Sequence, residues 1–223
     1  MDVATAVSQR ISTRAFLDTP VPEADLRALL TDARQAPSGG NLQPWRVHVL
    51  TGAARDRLVE TVQAAISANP FADEAELTIY PPKLWEPYRT RRYDLGEDMY
   101  ALLGVPREDK AARLQWLLNN YQFFGAPVGV FFSLDRRFDK GQWAHLGMLM
   151  QTIALLAEER GLATCMQEAW AARAKTVSAF LNLSADEQLY CGMALGYADK
   201  DAPVNQLRAA RADLDEFANF LSE

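Results

Sequence analysis

An α+β sandwich is the fold class this sequence predicts, and three observations carry the prediction. Residues 127–134 read PVGVFFSL, a continuous apolar run of strand length. Residues 141–160 hold Leu146, Met148, Leu149, Met150, Ile153, Leu155 and Leu156, apolar nearly all round, which marks a buried helix. Strands and helices intermix without a strict βαβ rhythm, which disfavours a doubly wound sheet.

The elements follow in chain order. A short helix is expected over 3–9. A second covers 23–36, with Leu26, Leu29, Leu30 and Ala33 on one stripe and Pro22 opening it. Residues 36–45 (APSGGNLQPW) hold two prolines and adjacent glycines and read as a shaped loop. Val47 and Val49 mark a strand, and 55–67 a helix. Residues 68–96 read as irregular: Pro70, Pro81, Pro82 and Pro87 stand among Tyr80, Trp85, Tyr88, Arg89, Arg91 and Arg92. A segment of that length inside a domain is usually a lid or binding loop, and its aromatic content argues against disorder. Helices are expected over 98–103 and 108–123, strands over 163–167 and 189–195, and helix or strand over 213–221.

The chain has 223 residues, which fits one domain spanning 1–223. It is 49% hydrophobic and 23% charged, the balance of a packed protein rather than a disordered one. Lys+Arg total 23 against Asp+Glu 29, a net charge of -6, which disfavours nucleic acid as a partner. Two cysteines, Cys165 and Cys191, form no C-x-x-C pair, and His48 and His145 form no H-E-x-x-H, so no metal site is expected. The first residues lack a basic start followed by an apolar run, and 146–156 is interrupted by Gln151 and Thr152, short of a membrane span. A cytoplasmic protein is expected.

Four groups of residues suit chemistry. Arg10, Ser12 and Arg14 alternate along the chain and point one way in an extended segment. Two guanidiniums and a hydroxyl on one face suit a phosphate, although for this segment taken alone two exposed arginines near a flexible terminus are the plainer reading. Pro37, Ser38, Gly39, Asn41 and Gln43 offer close backbone approach and amide donors and acceptors for a heterocycle. Ser38 lacks a G-x-S-x-G setting for a nucleophile. Gln167, Glu168 and Ala169 leave a strand end, where backbone groups are free to meet a ligand. Arg208 and Arg211 form a cationic pair near the C-terminus, flanked by Asn205.

These pieces have a recognisable order: Arg10-x-Ser12-x-Arg14, then Ala-Pro-Ser-Gly-Gly-Asn-x-Gln-Pro-Trp, then Phe124-Gly125-Ala126-Pro127, then Gly161-Leu162-x-Thr164-Cys165-x-Gln167-Glu168-Ala169, then Gly192-x-Ala194-Leu195-Gly196-Tyr197, then Pro203-Val204-Asn205-x-x-Arg208-x-x-Arg211. The whole resembles the FMN-dependent nitroreductase family, and the segment with Pro81, Trp85, Pro87, Tyr88 and Arg92 is similar to its aromatic-nitro reductase branch.

The resemblance implies an α/β/α sandwich with a mostly antiparallel central sheet, forming an intertwined homodimer with FMN in the interface. The helix over 141–160 is then the central dimer helix, with Leu146, Leu149, Ile153 and Leu156 as its adhesive surface. The cofactor set implied is Arg10, Ile11, Ser12, Arg14, Arg208 and Arg211 around the phosphate end, with Arg14 nearer flavin N1. Pro37, Ser38, Gly39, Asn41 and Gln43 approach the ring from the partner chain, and Gln167, Glu168 and Ala169 line its other side. Arg14 and the Glu168 backbone N–H, aimed at flavin N5, carry the catalytic roles. Residues 68–125 become a substrate-covering insertion, with Trp85, Tyr88, Arg89, Tyr121 and Phe124 as the substrate wall. The implied reaction is ping-pong hydride transfer from NAD(P)H through FMN to a nitroaromatic or quinone. Without a G-x-G-x-x-G, NAD(P)H shares the acceptor's pocket rather than a Rossmann domain. The same scaffold also suits an ene or enal reductase, or a flavin-binding redox sensor that catalyses little.

Overall fold

Four antiparallel strands, ordered β1–β2–β4–β3, form the central sheet of a computed structural model that describes residues 1–70, 72–73 and 76–222. They are β1 (Trp45–Thr51), β2 (Val128–Asp135), β3 (Ala163–Gln167) and β4 (Glu187–Gly196). β2 is buried along almost its whole length and alternates its side chains between two cores. Val128, Val130, Phe132 and Leu134 face α2 (Glu23–Ala33) and α6 (Lys140–Glu159). Phe131 faces α3 (Gly52–Ala68) and α7 (Ala174–Leu181). Helices on both faces of an antiparallel sheet make the α/β/α sandwich, and the two-residue period of the strand dictates it. Each fully buried Leu, Ile or Phe in these cores contributes roughly 1.5–3 kcal/mol.

Two glycines let aromatic rings lie against the sheet. A Cβ at Gly129 would stand 2.3 Å from Phe123 Cζ, and one at Gly192 2.3 Å from Trp170 Cδ1. Phe123, Phe131 and Trp170 stack in that space with centroids 4.8–5.7 Å apart. At one end of the sheet Ser133 donates to Glu187, and His48 Nε2 lies 2.8 Å from Glu187 Oε1. This cluster satisfies polar groups beside the irregularity in β2 between Phe132 and Ser133.

The remaining helices are α1 (Val3–Gln9), α4 (Tyr88–Leu102) and α5 (Lys110–Leu118). Several expected boundaries are corrected. The second helix ends at Ala33 rather than Ala36. The segment expected to be irregular through Gly96 becomes helical at Tyr88, directly after its last proline, Pro87. α4 buries only Met99 and Tyr100, so little apolar periodicity advertised it. The helix expected over 108–123 is α-helical over Lys110–Leu118 and continues as a 3₁₀ stretch, Asn119–Gly125, in which Phe123 and Phe124 take positive φ of 53° and Gly125 84°. α7 was not anticipated at all. The tail expected over 213–221 has one 3₁₀ turn, Leu214–Glu216. Of the segment 68–125, Phe71, Glu74 and Ala75 lie outside the described residues.

α6 corrects the expectation about its apolar face. Leu146, Leu149 and Ile153 are buried in this chain's own core, and Leu156 packs against it half-buried. The exposed stripe is Ala144, Gly147, Met148 and Gln151.

Candidate active site

The segment 10–14 runs along the outer edge of β3, where Ser12 bridges Thr164 in parallel and the Thr13 N–H donates to the Thr164 carbonyl at 3.0 Å. Its alternation buries Thr13 and turns Arg10, Ser12 and Arg14 the other way. Asn205, buried near the C-terminus, fastens this segment. Its Oδ1 accepts from the Arg14 N–H at 2.8 Å, and its Nδ2 donates to the Ala15 and Asp199 carbonyls at 2.8 and 2.7 Å. The same stretch carries Arg208, whose Nη1 donates to the Asn205 and Leu207 carbonyls, and Arg211, whose Nη1 donates to those of Ala209 and Ala210.

The result is a pocket of about 350 Å³ walled by Arg10, Ile11, Ser12, Arg14, Arg208 and Arg211. Among the described residues none of its four arginines has a carboxylate within 4 Å. Four guanidiniums around one cavity repel one another, and an anion with several oxygens relieves that repulsion through paired charge-assisted hydrogen bonds. The predicted phosphate set is therefore brought together from both ends of the chain. Asn205, which holds it, was seen in the sequence only as a flanking residue.

A second cavity, about 610 Å³, opens where β3 ends. Gln167 is 2% exposed, and its side chain is committed inward: Nε2 donates to the Asn120 carbonyl at 2.8 Å, and Oε1 accepts from the Trp170 indole at 3.3 Å. Glu168 Oε1 accepts from the Tyr190 hydroxyl at 3.1 Å. Burial, then the Glu168 charge, pushes the Tyr190 phenol well above its ordinary range, so it stays a neutral donor. Tyr80 is pushed up in the same way. The cavity wall facing Glu168 and Ala169 carries Tyr80, Arg92 and Asn120.

The loop 37–43 is built separately. Gly40, Asn41 and Gln43 take positive φ of 59°, 54° and 47°. Ser38 Oγ accepts from the Gln43 N–H at 2.9 Å, Gln43 Nε2 donates to Asn41 Oδ1 at 3.1 Å, and the Gly39 N–H donates to His145 Nε2 at 3.2 Å. Pro37 leads into this turn. His145 stands near the start of α6, whereas Glu158, which feels the Arg10 charge, stands near its end. Thirteen residues of helix separate them, roughly 20 Å. One chain thus does not bring Pro37, Ser38, Gly39, Asn41 and Gln43 to its own cationic pocket.

The predicted substrate wall is dispersed. Trp85 and Tyr88 are exposed and meet edge to face at 5.5 Å, and Arg89 is held by Glu86 at 2.7 Å. Tyr121 packs edge-on against Trp170 and donates to the Ala169 carbonyl at 3.2 Å, behind the 167–169 turn. Phe124 is 9% exposed and lies in the core against Trp116. Tyr80 and Arg92, which line the cavity at the end of β3, belong to the proline-rich and aromatic segment singled out in the sequence but had no place in the expected substrate wall.

The nitroreductase family model matches residues 7–197, from the cationic segment through β4. The chain belongs to the nitroreductase family. Among its relatives are the nitrobenzene nitroreductase of Ectopseudomonas oleovorans, 37% identical over 97% of this chain and 96% of that one, and the 4-nitrobenzoate reductase of Pseudomonas putida, 38% identical over 99% and 96%. The crystal structure of the FMN- and NADPH-dependent nitroreductase NfnB from Sphigopyxis sp. strain HMH is 42% identical, with a TM-score of 0.96 over 100% of both chains. Among the described residues this nitroreductase has no cluster of His, Cys, Asp and Glu arranged for a metal, and no helix long and apolar enough to cross a membrane.

Proposed function

We propose that this nitroreductase binds FMN and uses NAD(P)H to reduce a nitroaromatic or quinone, acting as a cytoplasmic homodimer where the nicotinamide pool is held. The observation that carries the reading is the convergence of Arg10, Ser12, Arg14, Arg208 and Arg211 on one pocket with, among the described residues, no carboxylate partner for the arginines. The fit to a phosphomonoester is chemical as well as spatial, because a dianion leaving water needs more than one cation and several donors.

Arg10, Ser12, Arg208 and Arg211 hold the phosphate, each charge-assisted hydrogen bond contributing roughly 1.5–3 kcal/mol. Arg14 is fixed at both ends, its main chain by Asn205 and its Nη1 by the Ser12 carbonyl at 3.2 Å, so its charge is presented at a set place toward the ring. The 167–169 turn would border the ring, and the Glu168 backbone N–H would serve as the donor to its N5. When bound, FMN supplies the two-electron carrier that takes hydride from NAD(P)H and yields it to the acceptor, solvent providing the protons. Tyr190, on β4, holds the Glu168 carboxylate through its hydroxyl.

The separation along α6 supports a site shared between chains, in which the loop 37–43 serves the partner's pocket. Ala144, Gly147, Met148 and Gln151 form the seam, and residues 68–125 cover the acceptor. Heat-released cofactor from the purified protein should chromatograph as FMN. NADPH should bleach its colour without air, and a nitroarene should restore it. FAD, or no uptake of supplied FMN, overturns the cofactor. A flavin that NAD(P)H does not bleach overturns the activity. A Met148→Glu monomer with normal FMN affinity overturns the shared site.

A further inference from the structure

We propose that Arg92, stacked on Tyr80, receives a carboxylate on the acceptor, so that the substrate class is a nitroaromatic acid rather than a neutral nitroarene. This rests on the reading that the acceptor reacts beside the 167–169 turn. α4 begins with three arginines whose surroundings differ. Arg89 pairs with Glu86, and Arg91 reaches Glu216 at 2.8 Å. Arg92 has no carboxylate within 4 Å among the described residues; its guanidinium lies 4.6 Å from the Tyr80 ring centroid. A guanidinium seated on an aromatic face is oriented without spending its N–H donors, which stay available for a bidentate partner.

Its position relates that donor fork to the chemistry. Arg92 walls the cavity that also holds Glu168 and Ala169, together with apolar Leu117, Ile79 and Met166. A flat ring suits those apolar walls, and its charged substituent suits Arg92. Among the described residues the carboxylate lining this cavity is that of Glu168, which accepts from the Tyr190 hydroxyl at 3.1 Å, and Tyr80 lies close to both charges. Arg92 and Leu117 also border a neighbouring cavity of about 700 Å³ that carries Lys83, Arg89 and Glu97; Glu86 pairs with Arg89 and Arg113 with Glu97, which leaves Lys83 as a further cation on the approach.

The test compares 4-nitrobenzoate with its neutral isostere 4-nitrobenzamide on the FMN-loaded protein, in wild type and in Arg92→Met, which keeps an apolar stem. The wild type should favour the acid in kcat/KM. Arg92→Met should lower that acid-to-amide ratio by about 10–100-fold, mainly through KM for the acid, the range expected for a lost charge-assisted hydrogen bond. Arg92→Lys should recover part of it. Calorimetric titration of benzoate, which needs no turnover, should weaken by a similar factor in Arg92→Met. An unchanged ratio, or benzoate affinity insensitive to Arg92, overturns the proposal. So does a loss in Arg92→Met confined to NADPH relative to NADH, which would assign the cation to the 2′-phosphate of the hydride donor. Failure of NAD(P)H to bleach the flavin overturns the underlying activity instead, and the benzoate titration still decides the Arg92 site.

Discussion

The Gly39 backbone N–H donates to His145 Nε2 at 3.2 Å, and this bond fastens the loop 37–43 to α6. The other ring nitrogen, Nδ1, lies 2.9 Å from Gln142 Oε1, so Nδ1 carries the proton and Nε2 is free to accept. A Cβ on Gly39 would come within 2.9 Å of His145 Cε1. His145→Ala should therefore loosen the loop and weaken FMN binding by about 2–10-fold, the range of one neutral hydrogen bond. Gly39→Ala should do at least as much, by displacing the imidazole. His145→Gln, which keeps an acceptor, should recover part of the loss. Fluorescence titration with FMN measures all three; wild-type affinity in His145→Ala would show that the loop does not serve the flavin.

Arg211→Ala should weaken FMN binding by about one to two decades while leaving the rate of flavin reduction at saturating FMN close to normal. Arg14→Ala should slow that rate even at saturation, since a cation beside the ring favours hydride acceptance. Stopped-flow reduction by NADPH, read with FMN affinity, separates the two. Identical behaviour would mean the pocket does not divide into phosphate and ring ends.

Gly192→Ala should destabilise the fold by about 1–3 kcal/mol, because Trp170 has no room to retreat from the new methyl group. Urea unfolding followed at the tryptophans gives the value. Trp170 lies just past the 167–169 turn, so FMN affinity should fall with it; a stable variant with wild-type affinity would show that the ring stack yields more easily than its geometry suggests.

Both thiols should be silent in the native state. Burial pushes Cys165 up to about 11 from its ordinary 9.0, and Cys191 higher still. At pH 8 the Cys165 thiolate is then roughly one part in a thousand, and it is shielded as well. A chromogenic disulfide reagent should count no thiols in the folded protein and two in denaturant. The folded pKa values are raised, so the unfolded chain ionises first as pH rises, and stability should decline above about pH 9 and not below it. Native labelling at pH 8 would contradict this burial.

The parts legible in the sequence were those with a period. β2 and α6 announced themselves by apolar runs, and Arg10, Ser12 and Arg14 by strand alternation. Only the end of α4 was expected, as the helix over 98–103; its first turns were hidden because they face water and follow four prolines, leaving Met99 and Tyr100 as its only buried side chains. The misreading of α6 has the same origin: an all-apolar helix states that it is buried, but not that its own sheet does the burying. The pairing of Tyr80 with Arg92 was not legible, because a cation–aromatic pair depends on how a proline-rich segment folds back, which no spacing rule fixes. Trp85 and Tyr88 drew attention through the resemblance of their segment and because flat aromatics suit a flat acceptor.

Asn205 makes the order of synthesis matter. The segment it clasps leaves the ribosome early, yet the clasp itself is 191 residues further on, with Arg208 and Arg211 just beyond. At 5–20 residues per second, nearly all the chain is made before the pocket has its last wall, a wait of roughly 10–40 s. Nascent chains in that interval carry Arg10 and Arg14 without their C-terminal counterparts. A product cut short before Asn205 contains all four strands but lacks the clasp, and cofactor loading thereby becomes a readout of finished translation.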